Sequence, residues 1–253
     1  MIRPRRVLAA AVLALLLTSA CEVRTDVAVE VHEDGSGFVS VGAGLDDDAL
    51  RRVPGIADEL RLDDLVATGW EVQQPTREDD GMTWIRVRKP FGTPEEAEQV
   101  LAEIAGENGP LRDFSVTRER SFARTEYGFD ATVDFRGGIE AFADEELSTA
   151  LDGEPLGEDV AAIEQRIGAA IDEVFTFRVA VRLPGDVESN APTQAENGAI
   201  WRPTLAEPGP IDLHASSEVV RWRTYVFIAV AAIAGLAALV IGGFGLKKRR
   251  QSQ

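Results

Sequence analysis

The stretch Phe175-Thr176-Phe177-Arg178-Val179-Ala180-Val181-Arg182-Leu183 alternates between large apolar residues and small, polar or cationic ones. A period of two places all the large apolar side chains on one face, the pattern of a half-buried β-strand. Leu183-Pro184-Gly185-Asp186 then turns the chain. The same alternation recurs near the start of the sequence. Val23, Thr25, Val27, Val29 and Val31 interleave with Arg24, Asp26, Ala28, Glu30 and His32. Asp34-Gly35-Ser36-Gly37 supplies a turn and Phe38–Val41 a return, so a hairpin is expected.

Outward from these two strands the reading becomes mixed. Trp70–Val72 and Thr83–Lys89 read as a second strand pair, joined by a loop ending Asp79-Asp80-Gly81 and closed by Pro90. Phe114–Phe122 and Phe129–Phe135 read as a third hairpin, with Phe129, Ala131, Val133 and Phe135 on one face. Ala199–Arg202 and Ile211–Ala215 read as closing strands. Helical stretches fall between them: Asp46–Leu65 in two pieces broken at Pro54-Gly55, then Ile139–Leu151 and Val160–Val174. A further helix opens at Thr93-Pro94-Glu95-Glu96, where Thr93 can cap, Pro94 suits the first turn and Glu96 can reach back. Hairpins with helices between them predict an α+β fold, a mostly antiparallel sheet covered by helices on one face. One C-terminal transmembrane helix is expected in addition.

The two ends carry membrane signals. Residues 1–20 read as a signal peptide: Arg3, Arg5 and Arg6, an apolar run Val7–Leu17, then Thr18-Ser19-Ala20 before Cys21. Cleavage is expected between Ala20 and Cys21, the single cysteine, with lipid attached at Cys21. The usual Leu three positions before that Cys is Thr18 here. Tyr225–Leu246 carries no charge over 22 residues, enough to cross a hydrocarbon core of about 30 Å. Residues 247–253 form a short tail with four cations, Lys247 to Arg250, which the positive-inside rule places in the cytoplasm. The α+β domain, residues 21–220, is then extracytoplasmic and tethered to the cell membrane.

Charge narrows the partners. Residues 22–220 keep 17 of the 26 basic residues and all 43 acidic ones, a formal charge of −26. Such a domain repels nucleic acid, so nucleic-acid partners are excluded. With a single Cys no intrachain disulfide is possible, and stability must come from a hydrophobic core.

Catalytic constellations are missing from the sequence. His32 and His214 are the only histidines, each on the polar face of a proposed strand, so no zinc cluster of ordinary spacing and no general base for a Ser or Cys nucleophile can be assembled. No G-x-S-x-G, Walker or H-E-x-x-H motif occurs. The acidic groups Asp46-Asp47-Asp48, Glu78-Asp79-Asp80 and Asp144-Glu145-Glu146 suit helix starts and exposed surface better than a paired-carboxylate hydrolase. Neither a metal, a cofactor nor an enzymatic activity is expected. Trp70, Trp84, Trp201 and eleven phenylalanines form either a core or an apolar pocket for acyl chains, two arrangements that give the same sequence pattern.

The features converge on one resemblance: the Cys21 signal with a strand directly after it, Arg182-Leu183-Pro184-Gly185, the segment Asn190…Gly198…Trp201, a last strand, one apolar span and a basic tail. In this the chain resembles the LppM-type lipoproteins of mycobacteria and related actinobacteria. The resemblance implies an envelope-anchored α+β domain that binds a membrane lipid or lipoglycan, such as a phosphatidylinositol mannoside. It transfers no ligand-binding residue. The expected function is lipid or lipoglycan binding at the membrane. The alternative is a non-enzymatic envelope scaffold that binds a protein partner through its acidic surface.

Overall fold

The computed structural model describes residues 22–52, 62–106, 109–138, 160–167, 169–206 and 209–221. The two alternating stretches that define the fold lie side by side. Strand β1 (Val23–Val31) pairs in parallel with β7 (Phe175–Arg182), Val27 beside Val179 and Val29 beside Val181. On its other side β1 forms the expected hairpin with β2 (Gly37–Leu45). β3 (Glu71–Arg77) and β4 (Thr83–Phe91) continue the sheet beyond β2. β9 (Thr193–Ala195) and β10 (Gly198–Trp201) extend it beyond β7, giving seven strands in the order β3-β4-β2-β1-β7-β10-β9.

A second, four-stranded antiparallel sheet contains β5 (Leu111–Arg120), β6 (Arg124–Val133), β11 (Ile211–Val220) and β8 (Asp186–Ser189), in the order β5-β6-β11-β8. The apolar faces of the two sheets bury one another. Val27, Val29, Val39, Val179 and Val181 share a single core with Phe129, Ala131, Val133, Leu213 and Ala215. Phe135 meets Phe177 edge-on at 5.5 Å, and Trp201 reaches Phe129 at 6.5 Å.

This arrangement overturns the expected fold class. The helices do not form a layer over one antiparallel sheet; a second sheet does the covering, and one strand pair is parallel. Among the described residues the helices are short: α1 (Asp47–Arg52), α2 (Leu62–Ala67), α3 (Pro94–Ala105), α4 (Val160–Ile167) and α5 (Ile171–Val174). Only α3 contributes buried residues to the shared core, through Ala97, Val100 and Leu101. None of the described helices is long and apolar enough to cross a membrane. The apolar run 225–246, the tail 247–253, the signal segment 1–20 with Ala20, and Cys21 lie outside the described residues, as does the expected helix 139–151. The physical reason for the error is simple. Period-two alternation says that a strand hides one face, and is silent on what hides it.

The two sheets are stitched together by the segment after β7. The chain passes from β7 to β8 in the smaller sheet, back through β9 and β10, and then to β11. Asn190 holds this crossing. Its Oδ1 accepts from the Trp201 indole at 2.9 Å and from the His214 backbone N–H at 3.0 Å, while its Nδ2 donates to the Asp212 carbonyl at 2.8 Å. Gly198 allows β10 to press on β7, since a Cβ there would come within 2.7 Å of the Val181 carbonyl oxygen. The residues that carried the family resemblance thus build the junction between the sheets.

Candidate functional site

Two polar clefts lie on the outer faces of the sheets. The outer face of the seven-stranded sheet is unusual for so acidic a chain, because it gathers arginines. The side chains that alternate with the buried valines point outward from β1, β4 and β7. They include Arg24 and Asp26, Trp84 and Arg86, and Thr176 and Arg178. With Glu22, Glu78, Asp80 and Arg202 they line a cleft of about 390 Å³.

The floor is made by Trp84. Its indole lies against Gly42 and Gly44 of β2, where a Cβ on Gly44 would meet the ring at 2.9 Å. The indole N–H donates to Asp80 at 3.2 Å, and the Arg86 guanidinium stacks 4.3 Å from the ring centre. The walls are ion pairs. Arg178 grips Asp26 with two donors, at 3.0 and 2.5 Å. Arg24 donates to Glu22 at 2.8 Å and to Asp80 at 3.3 Å, and Arg86 pairs with Glu78. Among the described residues Arg202 reaches the Thr193 hydroxyl, at 3.4 Å.

These contacts set the proton affinities. Burial pushes the Asp26 carboxyl up from its ordinary value, and Arg178 only partly opposes it. Burial also pulls Asp80 upward, but the Met82 N–H, the Trp84 indole, Arg24 and Arg86 together outweigh it and hold that carboxyl below its ordinary value. The hydrogen bond to Glu22 raises Arg24 further above neutrality. The cleft therefore presents fixed, planar donors and acceptors. Forked guanidinium and carboxylate groups of this kind are able to exchange paired hydrogen bonds with oxygen-rich groups.

The opposite face, on the smaller sheet, has the reverse character. A cleft of about 590 Å³ there is lined by Glu119, Glu126, Asp130, Asp186, Glu188 and Glu218, with His214 donating to or accepting from Asp130 at 2.6 Å. Glu119 lies directly across from Glu126, and Asp186 across from Glu218. Arg124 bridges part of the row through Glu218 at 3.1 Å.

The structure places the other residues singled out in the sequence as follows. His32 and His214 are both exposed, and no group of three or more His, Cys, Asp or Glu able to hold a metal occurs among the described residues. Asp46 caps α1, accepting from the Ala49 N–H at 2.6 Å, while Asp80 holds the turn before β4 through the Met82 N–H at 3.0 Å. Asp144, Glu145 and Glu146 lie outside the described residues. Trp70, Trp84 and Trp201 are buried and each indole has an acceptor: Glu103, Asp80 and Asn190. Trp70 and Trp201 pack in the shared core, while Trp84 forms the floor of the arginine cleft. The arginine cleft escaped the sequence reading because its members come from four separate segments. The available signal was the row of arginines on the polar face of each alternating strand.

The first and last described residues of the domain, Glu22 and Arg221, lie apart. Glu22, the residue after Cys21, lies at the start of β1 and lines the arginine cleft. The far end of β1 leads into the turn at Glu33, whose carbonyl accepts from Arg118 and from the Tyr127 hydroxyl. Arg221 lies at that same end, its N–H donating to the Ala123 carbonyl at 2.8 Å. The two exits thus lie toward opposite ends of β1, a strand of nine residues. No family model matches the chain, and comparisons with curated proteins and with solved structures find no match.

Proposed function

We propose that this chain is a membrane-anchored, extracytoplasmic binding module that takes the polar headgroup of an envelope lipid or lipoglycan in the arginine cleft. One observation carries the reading: four arginines, four carboxylates and a buried Trp form a fixed cleft of no net formal charge, on a domain of charge −26, at the residue that follows the expected lipidation site Cys21. Phosphate and sugar hydroxyls are the groups that forked guanidinium and carboxylate pairs bind well. The acyl chains stay in the bilayer.

Anchoring is read from the sequence, through Cys21 and the apolar run Tyr225–Leu246. Two tethers at opposite ends of the strands lay the domain along the membrane plane. Electrostatics then favours turning the arginine face toward anionic headgroups and the carboxylate face away from them. The resemblance to LppM-type lipoproteins points to the same ligand class.

Binding of the full chain to vesicles with and without phosphatidylinositol mannosides tests the proposal. Arg202→Glu touches no core residue and should weaken the ligand-dependent part of binding about tenfold with thermal unfolding unchanged. Equal binding to both vesicles, or indifference to Arg202→Glu, would reject headgroup recognition in the cleft.

The opposed carboxylates on the smaller sheet favour a second reading, in which that face binds a cationic protein partner. Like charges placed directly across a strand pair cost stability. A partner that neutralised them would recover it. Cross-linking in intact envelopes that captured one basic protein, lost on Glu126→Lys with Asp186→Lys, would support it.

A further inference from the structure

Three large apolar side chains stand out in solvent among the described residues, and two of them lie at the same end of the smaller sheet. Phe122 is 75% exposed and Val220 50%. Phe122 occupies the corner of the tight β5–β6 turn, where the Ser121 N–H donates to the Arg124 carbonyl at 2.9 Å. β11 ends beside that turn. Val220 is the register partner of Arg124, and Arg221 is tied down twice, by its N–H to the Ala123 carbonyl and by its guanidinium to the Thr125 hydroxyl, both at 2.8 Å. The hairpin tip and the end of β11 therefore form one ordered knuckle.

Packing gives Phe122 no role. Its neighbour Ala123 is buried, while the larger ring, which would contribute more by burial, is held out. The charges around it also break the pattern of the domain. Arg120 and Arg221 have no carboxylate partner among the described residues. Arg124 is shared between Glu218 at 3.1 Å and Glu126 at 3.9 Å. Position then points to the occupant. The uncharged run begins at Tyr225, four residues beyond Arg221, so the chain can travel at most ~14 Å from the knuckle before that run starts.

We infer that the knuckle of Arg120, Phe122, Val220 and Arg221 is a bilayer contact, with the Phe122 ring at the headgroup–acyl boundary and the Arg120 and Arg221 guanidiniums, neither paired with a carboxylate among the described residues, on lipid phosphates. Aromatic rings favour that depth, and cations beside an anionic leaflet add attraction. The inference rests on the anchoring reading above and assigns a third point of contact to it. With the tip seated, the domain cannot swing about its C-terminal exit.

The test replaces Phe122 with the photoreactive p-benzoyl-phenylalanine in the full chain, placed in vesicles of phosphatidylethanolamine and phosphatidylglycerol. Val66, exposed on α2 beside β3, carries the same probe as a comparison. After irradiation, lipid adducts at position 122 should exceed those at position 66 several-fold, and Arg120→Glu should reduce them. An alkaline carbonate wash separates the two ideas. If the chain washes off the vesicles, anchoring fails and the knuckle contact with it. If the chain stays and position 122 gives no more lipid adduct than position 66, the knuckle inference alone is overturned. Protein adducts at 122 in native envelopes, in place of lipid, would overturn it as well, and would mark the tip as a protein-docking site.

Discussion

Asn190 shows how much one polar side chain settles. It joins Trp201 of one sheet to His214 and Asp212 of the other, and the indole it satisfies is buried. Asn190→Ala leaves that N–H without its acceptor and removes three hydrogen bonds, so it should cost roughly 2–4 kcal/mol. Asn190→Asp keeps the acceptor and should cost less. Urea midpoints with an unchanged m-value would measure both; a loss below 1 kcal/mol for the Ala variant, about the net contribution of one ordinary hydrogen bond, would show that the sheets are joined by apolar contact alone. A second residue-scale prediction concerns pH. The Asp134 carboxyl, bonded by Arg136 and paired with Arg112, is lowered to about 2, whereas burial raises Asp26. Because the Asp134 value is depressed on folding, its contribution to stability is present above the unfolded value near 4 and is lost as pH falls toward 2. Asp26 has the opposite sign: it takes its proton in the fold before it would in the unfolded chain, so acidification relieves a penalty. Carboxyl-carbon shifts followed by NMR should therefore titrate Asp26 above, and Asp134 below, the ordinary range. Coincident titrations would contradict both environments.

At the scale of elements, helix α3 is the best-specified piece. Thr93 caps it, accepting from the Glu96 N–H at 3.3 Å, and Pro94 opens it. The Glu96 carboxylate turns back as expected, but to the Gly92 N–H at 2.7 Å, one residue before the cap. Thr93→Ala should cost about 1 kcal/mol, read from thermal unfolding. No change would mean that packing of Ala97, Val100 and Leu101 alone holds the helix. Local signals of this kind were legible in the sequence. So were β1, the β1–β2 hairpin, β7, and the buried face of Phe129, Ala131 and Val133, because each depends only on neighbours in the chain. Pro90 was misread as the end of a strand. It lies inside β4, past Arg88, the last β4 residue with a β3 partner, so it sits at an edge position where a missing N–H is tolerated. What was not legible was pairing across distance. Nothing in Phe175–Leu183 says that β1 is its parallel neighbour, or that β10 and β11 belong to different sheets. The arginine cleft inherits that difficulty, since Arg24, Arg86, Arg178 and Arg202 become neighbours only when β1, β4, β7 and the end of β10 are aligned.

At the scale of the whole molecule, two sheets share a core and divide the charge between their outer faces: arginines paired with carboxylates on one, a row of carboxylates that outnumbers its cations on the other. The exits toward the two expected anchors lie at opposite ends of the strands, and the arginine cleft lies at the Cys21 end. On the proposed reading, a domain held this way meets its ligand in the membrane plane, and that ligand is a lipid or lipoglycan headgroup. The most direct measurement is native mass spectrometry of the full chain, released in mild detergent from the membrane of its own cells. The account predicts a bound species of lipid or lipoglycan mass that survives release, and is lost from an Arg202→Glu protein that is otherwise folded. A bare protein mass, unchanged when envelope lipids are added back, would contradict it.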